Sequence, residues 1–289
     1  MRVKIAKTIG FCQGVRRALD LTKNVLAKSK SPVYSLGQII HNKGVIEELM
    51  GLGLIVINDI SKIKDNAILI LPSHGVPENI IKELARKKIK IVDTTCPYVS
   101  KVYRIAESLK KQNYQIIIYG DKKHPEIRAI KSRIPQAFIV SPSTHLLLDK
   151  FIKLKDNNKL VFGIISQTTQ AKDKYFSFIY HFLWENSFIK EVRVFNTICA
   201  DAISRQKEVI ELSKEVDAMF IIGGKNSANT KRLNELCQQT RVKTFHIEKI
   251  SELRNKGNVI SRIKTAGIAT GASTPSFLVS ELLNYLKSK

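Results

Sequence analysis

The sequence predicts an α/β fold of three similar lobes in a pseudo-threefold arrangement. Apolar strand patterns alternate with helical patterns of about 10–15 residues along the chain, which is typical of parallel α/β architectures. A second observation is an internal repeat, in which a strand, a cysteine and a helix follow one another three times. The 289 residues suit three units of roughly 100 residues each. We place the lobes at residues 1–96, 97–194 and 195–289, with Cys96 at the first junction.

The clearest copy of the repeat surrounds Cys96. A β-branched run, residues 91–95, leads to this cysteine, and Pro97 then opens an amphipathic helical pattern. Proline suits the first helical position because its missing N–H would be unpaired there in any case. Cys96 is therefore expected at the positive end of a helix, where the thiolate form is favoured.

The other two copies surround Cys12 and Cys199. A short strand pattern at residues 3–9 leads through Gly10 to Cys12, and a helix with one apolar face follows. The run 192–198 leads to Cys199 and into another helical pattern in the same way. The three cysteines are therefore expected to occupy equivalent places in the three lobes.

A polar position repeats at a nearly constant distance from each cysteine. It lies 29 residues after the first cysteine and 28 residues after each of the others, at His41, His124 and Ser227. Each of these residues stands four positions after a glycine that ends an apolar strand pattern. A third set of strands ends in polar clusters that contain His74, Thr168 and Ser273. Because open α/β sheets bind ligands at the carboxyl ends of their strands, three lobes with these edges turned inward would enclose one shared site.

Three thiols so far apart in sequence suit an iron–sulfur cluster. Spacings of 84 and 103 residues exclude finger and ribbon zinc sites, whose ligands come in close pairs. Thiolates are soft ligands that suit iron, and with three of them one iron of a cluster stays open for substrate. Ordinary buried cysteines would explain one such junction, but not the repeat. Cys237 falls on a helix face with Leu233 and Leu236, which predicts a packing role.

The repeated polar positions are typical of a site for an oxyanion such as diphosphate. Such a ligand needs many donors, and charge-assisted hydrogen bonds contribute roughly 1.5–3 kcal/mol each. Backbone amides of the strand-end loops would add to the side chains. Glu126, two residues after His124, is the carboxylate placed to act as an acid. The candidate ligand-binding side chains are those of His41, His74, His124, Thr168, Ser227, Asn229 and Ser273, whereas His145, His181 and His246 lie outside the repeat and are expected to be structural.

Composition restricts the class of protein further. The net charge is +23, but the basic residues are mostly lysines scattered over helix faces, and no nucleic-acid module is recognisable. We therefore expect no nucleic-acid partner, although the charge favours anionic substrates and acidic protein partners. No apolar run approaches the ~18 residues of a membrane-spanning helix, and the N-terminus shows no signal or transit pattern. We expect a cytoplasmic protein that does not bind membranes and is a monomer or weak dimer.

These motifs together resemble those of one enzyme family. The matching segments are Gly10-Phe11-Cys12, Ile40-His41-Asn42, Ser73-His74-Gly75-Val76, Thr95-Cys96-Pro97, His124-Pro125-Glu126, Gln167-Thr168-Thr169, Thr197-Ile198-Cys199 and Gly271-Ala272-Ser273. They look like those of the LytB/IspH family, the 4-hydroxy-3-methylbut-2-enyl diphosphate reductases of the non-mevalonate (MEP) isoprenoid pathway. The resemblance runs from residue 3 to beyond residue 280.

The resemblance implies three lobes around a central [4Fe–4S] cluster, held by Cys12, Cys96 and Cys199 with an open apical iron. It implies reductive removal of an allylic hydroxyl, giving isopentenyl and dimethylallyl diphosphate, with electrons from reduced ferredoxin or flavodoxin. Glu126 would deliver protons and Thr168 would position the hydroxyl. The substrate pocket would comprise His41, His74, His124, Ser227, Ala228, Asn229 and Ser273.

Some positions depart from the family pattern. Ala228 stands where a serine is usual, which removes a side-chain donor but keeps the N–H, and Ala129 and Tyr103 replace a common glycine and a frequent histidine. Two other classes stay open at this point. A non-catalytic iron–sulfur sensor or nucleic-acid-binding protein would explain the cysteines and the charge, but not Glu126 or the diphosphate-type loops. A metal-dependent hydrolase would explain the histidines and Glu126, but thiolate ligands from three lobes are unusual for such an enzyme.

Overall fold

The computed structural model describes residues 1–141, 161–186 and 189–288, which form alternating strands and helices. The strands are short and are mostly followed by a helix. They are β1 (Arg2–Ile5), β2 (Val33–Leu36), β3 (Leu54–Ile57), β4 (Ile68–Leu71), β5 (Lys90–Asp93), β6 (Gln115–Tyr119), β7 (Phe138–Val140), β8 (Val161–Ser166), β9 (Glu191–Val194), β10 (Ala218–Ile222), β11 (Lys243–Ile247) and β12 (Thr265–Thr270).

The helices of the described segments follow the apolar periodicity of the sequence. They are α1 (Gln13–Lys28), α2 (Lys43–Gly51), α3 (Glu78–Leu84), α4 (Pro97–Lys111), α5 (Pro125–Arg133), α6 (Lys172–Glu185), α7 (Ala200–Ser213), α8 (Ala228–Gln239), α9 (Gly257–Ile260) and α10 (Phe277–Lys287), with 3₁₀ turns at Ile60–Lys62 and Ile250–Lys256. None of these helices is long and apolar enough to cross a bilayer.

The strands form three four-stranded sheets that share one order. The orders are β1-β12-β10-β11, β5-β4-β2-β3 and β9-β8-β6-β7. The registered pairs of all three sheets are parallel. In each sheet, the edge strand named first in these orders leads to a cysteine. The strand beside it leads to the loop that contains Ser273, His74 or Thr168. The strand after that ends at the glycine that precedes His41, His124 or Ser227. The predicted α/β class with three similar sheets is thereby confirmed.

The first strand belongs to the sheet of the last third of the chain. β1 pairs with β12, with Arg2 opposite Thr265 and Ile5 opposite Ile268. Cys12 therefore shares a sheet with the Ser273 loop, whereas the sequence grouped it with His41 and His74. By the same order, Cys96 follows the sheet of β2–β5 and Cys199 follows that of β6–β9. The lobe boundaries 1–96, 97–194 and 195–289 remain a proposal, except that β1 belongs to the sheet of the third lobe and not to that of the first.

The chain divides into two compact units. Unit 1 contains residues 1–28, 38–56 and 200–289, and unit 2 contains residues 29–37 and 57–199. The first sheet lies in unit 1, and the third lies in unit 2. The second sheet lies in unit 2 except for most of β3, of which only Ile57 is in that unit. The candidate residues in unit 1 are Cys12, His41, Ser227, Ala228, Asn229 and Ser273. Those in unit 2 are His74, Cys96, His124, Glu126, Thr168 and Cys199.

The central strands are apolar because both of their faces are covered. Every residue of β10 is buried, and so are four of the five residues of β6. Parallel sheets are typically covered by helices on both faces, so such strands carry continuous Ile- and Val-rich runs. In unit 2, α4 packs its apolar face, including Val99, Val102 and Leu109, into the core beside β6. These cores hold the strand ends, and hence the polar loops, in fixed positions.

Candidate active site

Each of the three candidate cysteines lies at the start of a helix. Cys96 is the N-cap residue of α4, and Cys12 and Cys199 immediately precede α1 and α7. The amide of Val15 in α1 also donates a hydrogen bond to Cys12 Sγ, at 3.4 Å. All three are partly exposed and present as thiols. Helix N-termini favour the thiolate, so the predicted strand-to-helix junctions are confirmed and suit metal ligation.

One backbone hydrogen bond recurs in all three sheets. The amide of each cysteine donates to a carbonyl in the polar loop that follows the neighbouring strand. The acceptors for Cys12, Cys96 and Cys199 are the carbonyls of Ala272, Ser73 and Thr168, at 3.0, 2.8 and 2.9 Å. These carbonyls belong to the residue before Ser273, the residue before His74, and Thr168 itself. Each thiol is therefore fixed next to one of the predicted substrate-binding loops.

Glu126 and Thr168 form a buried acid–hydroxyl pair in unit 2. Glu126 lies in the first turn of α5 and is 2% exposed, and Thr168 follows β8 and is 5% exposed. The amide of Thr168 donates to Glu126 Oε1 at 2.7 Å, and its hydroxyl donates to Oε2 at 2.8 Å. Because the Thr168 carbonyl accepts from Cys199, a continuous hydrogen-bonded path joins the acid, the hydroxyl and the cysteine backbone.

Burial raises the pKa of Glu126 from 4.5 to about 7. The two hydrogen bonds from Thr168 act in the opposite direction because they favour the carboxylate, but they do not offset the loss of solvation. Desolvation by burial is thus the main cause of the raised pKa. A carboxyl with a pKa near neutrality can both hold and release a proton under ordinary conditions.

We expect Glu126 to make the stability of the metal-free protein depend on pH. The pKa of Glu126 is higher in the folded than in the unfolded protein, so protonated Glu126 favours the folded state. This contribution to the free energy of unfolding is complete below pH 4.5 and is lost as the pH rises through about 7. The shift corresponds to about 3 kcal/mol at 1.36 kcal/mol per unit. The free energy of unfolding, measured by urea titration at pH 5 and pH 8, should therefore fall more in the wild type than in Glu126→Gln.

The control for this measurement is Glu107→Gln, which changes a half-exposed carboxylate on α4. It should keep the wild-type pH dependence. Equal pH slopes for the wild type and Glu126→Gln would show that Glu126 is ionised throughout, contrary to this expectation.

His124 is oriented by the same helix that carries Glu126. It is the N-cap of α5, and its Nδ1 accepts a hydrogen bond from the amide of Glu126 at 3.2 Å. With Nδ1 as an acceptor, the neutral imidazole carries its proton on Nε2 and can donate there. The structure therefore gives His124 the donor role that an oxyanion requires.

The loop that carries His74 is clamped by Tyr103 and Arg133. The Tyr103 hydroxyl donates to the His74 carbonyl at 3.4 Å, and the Arg133 guanidinium lies 3.9 Å from the centre of the Tyr103 ring. Arg133 also donates to the Val76 carbonyl at 3.1 Å. Gly75 has a φ of +76°, and a Cβ there would lie 1.9 Å from the Tyr103 hydroxyl oxygen. This close packing explains why the loop needs glycine beside His74 in this chain.

In unit 1, His41 and Ser273 are joined by hydrogen bonds. The Ser273 hydroxyl donates to the His41 carbonyl at 3.0 Å, and the Asn42 side chain donates to the Ser273 carbonyl at 2.8 Å. Asn42 also caps α2 by accepting from the amide of Val45. The pKa of His41 is lowered mainly by burial and, to a smaller extent, by the positive charge of Lys231. His41 is therefore a neutral ring at pH 7 that lies near a lysine of α8.

Asn229 has the most direct indication of a ligand. It is 4% exposed, and neither its side-chain nitrogen nor its side-chain oxygen has a hydrogen-bond partner in the described parts of the chain. Buried polar groups are almost always paired, so such an amide is typical of a site that a ligand completes. Ser227, two residues earlier, caps α8 by accepting from the amide of Thr230, which leaves its O–H able to donate.

Residues outside the repeat behave mainly as the sequence predicted. Cys237 is fully buried among apolar residues that include Leu233 and Leu236, and burial raises the pKa of its thiol to about 12. His246 bonds the Gly223 carbonyl at 3.0 Å, which is a structural role, and His181 lies on α6. His145 lies outside the described residues.

Several residues of the site were not predicted from the sequence. They are Asn42, Lys231, Arg133 and Arg205, together with Thr94 and Thr197. The two threonines had a visible signal, since each stands two positions before a cysteine of the repeat. The arginines and Lys231 had none, because they lie on ordinary helix faces and act only through tertiary contacts.

The fold and the site define a class of protein. The chain presents thiols after parallel strands, carries a buried acid with a pKa near neutrality, and contains a buried amide, that of Asn229, without a partner among the described residues. These features are typical of an enzyme that combines soft-metal ligation, proton transfer and binding of an anionic ligand.

Comparison with known proteins identifies the family. The family described as LytB protein matches residues 3–287, and the chain belongs to it. A 4-hydroxy-3-methylbut-2-enyl diphosphate reductase of Clostridioides difficile (strain 630) is 37% identical over 288 residues, which is 100% of both chains. One of Geotalea uraniireducens (strain Rf4) is 37% identical over 287 residues, covering 99% of this chain and 97% of the relative.

Two solved structures are similar over almost the whole chain. One is that of an (E)-4-hydroxy-3-methyl-but-2-enyl diphosphate reductase, the terminal enzyme of the non-mevalonate pathway. It is 34% identical with a TM-score of 0.71 and covers 100% of both chains. The other is an E-1-hydroxy-2-methyl-but-2-enyl-4-diphosphate reductase from Plasmodium falciparum, 26% identical with a TM-score of 0.88, which covers 98% of this chain and 87% of that one.

Proposed function

We propose that the chain is a 4-hydroxy-3-methylbut-2-enyl diphosphate reductase and catalyses the terminal step of the non-mevalonate isoprenoid pathway. The reaction takes up two electrons and two protons, removes the allylic hydroxyl as water, and leaves isopentenyl or dimethylallyl diphosphate. The observation that carries this proposal is the path from Glu126 through Thr168 to the backbone of Cys199. It joins a proton donor, a hydroxyl and a candidate metal ligand within unit 2.

The residues that would hold the cofactor are Cys12, Cys96 and Cys199. Soft thiolate donors, each at a helix N-terminus and each with its amide fixed, fit an iron–sulfur cluster. Among the described residues, no three His, Cys, Asp or Glu side chains form a site for a single metal ion. A [4Fe–4S] cluster with three cysteine ligands would pass the two electrons of the external reductant to the substrate, one at a time, and would leave one iron open to act as a Lewis acid.

Glu126 and Thr168 would handle the proton and the substrate hydroxyl. Hydroxide is a poor leaving group without protonation, and Glu126 is a buried acid of unit 2 that could supply the proton. Thr168 donates two hydrogen bonds to Glu126, one from its amide and one from its hydroxyl. If the hydroxyl rotated toward the substrate, the hydrogen bond from the amide would still hold Thr168 beside Glu126. This arrangement would orient the leaving group and keep water away from it, since both side chains are buried.

The diphosphate would bind to the polar donors of the strand-end loops. The candidate donors are the side chains of His41, His74, His124, Ser227, Asn229 and Ser273 and the amide of Ala228. Asn229 supports this assignment most strongly, because its amide has no partner in the described protein. The Ser273 hydroxyl donates to the His41 carbonyl, so it would have to rotate away from that carbonyl in order to donate to the diphosphate.

Asn229→Ala should weaken diphosphate binding without loss of stability. The variant removes a donor worth roughly 1.5–3 kcal/mol to a charged ligand, which corresponds to at least a tenfold rise in the Kd of inorganic diphosphate and in the substrate KM. Stability should be unchanged because the Asn229 side chain has no hydrogen-bond partner among the residues that the structure describes. Asn24→Ala, on the exposed face of α1, is the control. Wild-type diphosphate affinity in Asn229→Ala, measured by calorimetry, would exclude Asn229 from the pocket.

The electron donor would be an acidic redox protein such as reduced ferredoxin or flavodoxin. The net charge of +23 favours such a partner at low salt. We propose no nucleic-acid or membrane partner, a cytoplasmic location, and a monomer or weak dimer. The sensor and nucleic-acid-binding alternatives find no support among the relatives, which are reductases over their full length.

Anaerobic reconstitution tests the proposed function. Protein reconstituted with iron and sulfide should turn brown with broad absorption near 400 nm, and after reduction by dithionite it should convert the allylic diphosphate to both isoprenoid products. A reconstituted protein that binds the cluster but yields neither product would contradict the proposal.

A further inference from the structure

Two of the three cysteine loops are braced by a threonine in the same way. Thr94, two residues before Cys96, donates its hydroxyl proton to the Leu71 carbonyl at 2.5 Å. Thr197, two residues before Cys199, donates to the Ser166 carbonyl at 2.7 Å. Leu71 and Ser166 are the last residues of β4 and β8, the strands next to the edge strands of their sheets. Each brace ties the cysteine loop to the end of the neighbouring strand.

The Cys12 loop lacks this threonine. The residue two positions before Cys12 is Gly10, which has a φ of +74° and no side chain to donate. The equivalent carbonyl belongs to Thr270, the last residue of β12, and it accepts instead from Arg205 Nη1 at 2.9 Å. An arginine from α7 therefore occupies the place that a threonine hydroxyl has in the other two sheets.

Arg205 binds the Cys12 loop at two further points. Its Nη1 donates to the Thr8 carbonyl at 3.1 Å, and its Nη2 donates to the Gly10 carbonyl at 2.9 Å. Asp201 orients the guanidinium through an Nε–Oδ2 contact of 2.7 Å, and the arginine side chain is only 2% exposed. α7 begins at Ala200, the residue after Cys199, so this contact anchors the Cys12 loop to the helix that another candidate ligand precedes.

We propose that Arg205 is the positioning residue of Cys12, replacing the threonine brace that the Cys96 and Cys199 loops contain. The role rests on the proposed function of Cys12 as a cluster ligand. This role depends on the planar guanidinium of Arg205, whose several N–H groups reach three carbonyls while they keep the contact with Asp201. A lysine donates all of its hydrogen bonds from one nitrogen and could not reach the same set of partners. A buried arginine with only a packing role would not need to bind the strand-end carbonyl equivalent to those that Thr94 and Thr197 bind.

The test is the reactivity of individual thiols in the metal-free protein. Arg205→Lys should raise the rate of Cys12 alkylation by iodoacetamide by about fivefold to thirtyfold, because one or two hydrogen bonds of about 1 kcal/mol each are lost from the loop. Peptide mass spectrometry follows the reaction at each thiol. The rates of Cys96 and Cys199 should not change. Arg232→Lys, which alters a mostly buried arginine paired with Glu235 in α8, is the matched control.

A crossed variant separates positioning from general loosening. Thr94→Val should raise the alkylation rate of Cys96 by a similar factor and leave that of Cys12 unchanged. After reconstitution, Arg205→Lys should also lose iron to a chelator faster than the wild type. A wild type that binds no iron would refute the ligand role and the proposed function, while the alkylation rates would still report whether Arg205 holds the loop.

Thr270 provides a second route if Arg205→Lys does not fold. The Thr270 hydroxyl accepts from the Gly10 amide at 2.9 Å and from Arg205 Nη1 at 3.1 Å. Thr270→Val should therefore increase Cys12 alkylation, and Thr270→Ser should restore the wild-type rate. An unchanged Cys12 rate in Arg205→Lys, or in Thr270→Val where the first variant is unfolded, would overturn the proposal.

Discussion

Replacing any one of Cys12, Cys96 and Cys199 by serine should remove most of the iron from the reconstituted protein. Serine keeps the size of the side chain but replaces a soft thiolate by a hydroxyl that does not ionise near neutrality. The loss should affect all three variants because each loop holds its cysteine through the same amide-to-carbonyl bond, at 2.8–3.0 Å. Iron and sulfide per chain and absorption near 400 nm are the measurements.

Cys237→Ser is the matched control for these three variants. Its thiol is fully buried in the core of unit 1, away from any helix start, and its pKa is raised to about 12. The variant should keep wild-type iron content, although the buried hydroxyl should lower stability. Iron loss equal to that of the other variants would contradict the ligand assignment, and so would full iron content in any of the three.

Glu126→Gln should lose at least about two orders of magnitude in single-turnover rate while it keeps the cluster and binds substrate. A positioned acid typically contributes ~10²–10⁴ in rate, and glutamine cannot release a proton. The amide has the shape of the acid, and its oxygen can still accept from the Thr168 amide, so the loop should not move. The measurement is product formation with protein in excess over substrate and dithionite in excess over both, so that the two electrons are available. Iron content and diphosphate affinity are determined in parallel.

Glu107→Gln is the control for this effect, because it removes a half-exposed carboxylate of the same unit. Below pH 7 the wild-type rate should be close to its maximum, and it should fall as the pH rises through about 7, where Glu126 loses its proton. The pH dependence should be absent from the residual rate of Glu126→Gln. Near-normal turnover by that variant would mean that protons reach the substrate from water or from the diphosphate.

The candidate site residues could be predicted from the three-part repeat because each copy of the repeat is marked by residues close together in sequence. A cysteine, a strand-end glycine with a polar residue four positions later, and a third polar loop recur at nearly constant spacing. His124 and Ser227 proved to be N-caps, and Asn42 caps the helix after His41. Capping depends on the few residues around a helix start, so the sequence carries this information directly.

Pairing, burial and the bracing of loops depended on contacts between distant residues. The pairing of β1 with β12 joins residues more than 260 positions apart, and apolar periodicity carries no information about such a partner. The pKa of Glu126 is raised by desolvation, which exists only once the surrounding chain has closed over the carboxyl. Likewise, Arg205 is an ordinary helical arginine in the sequence and acquires its three carbonyl partners only when α7 packs beside the ends of β1 and β12. Short-range preferences thus decide which residues end strands and begin helices, whereas the solvation and hydrogen bonding of the site arise from the packed tertiary structure.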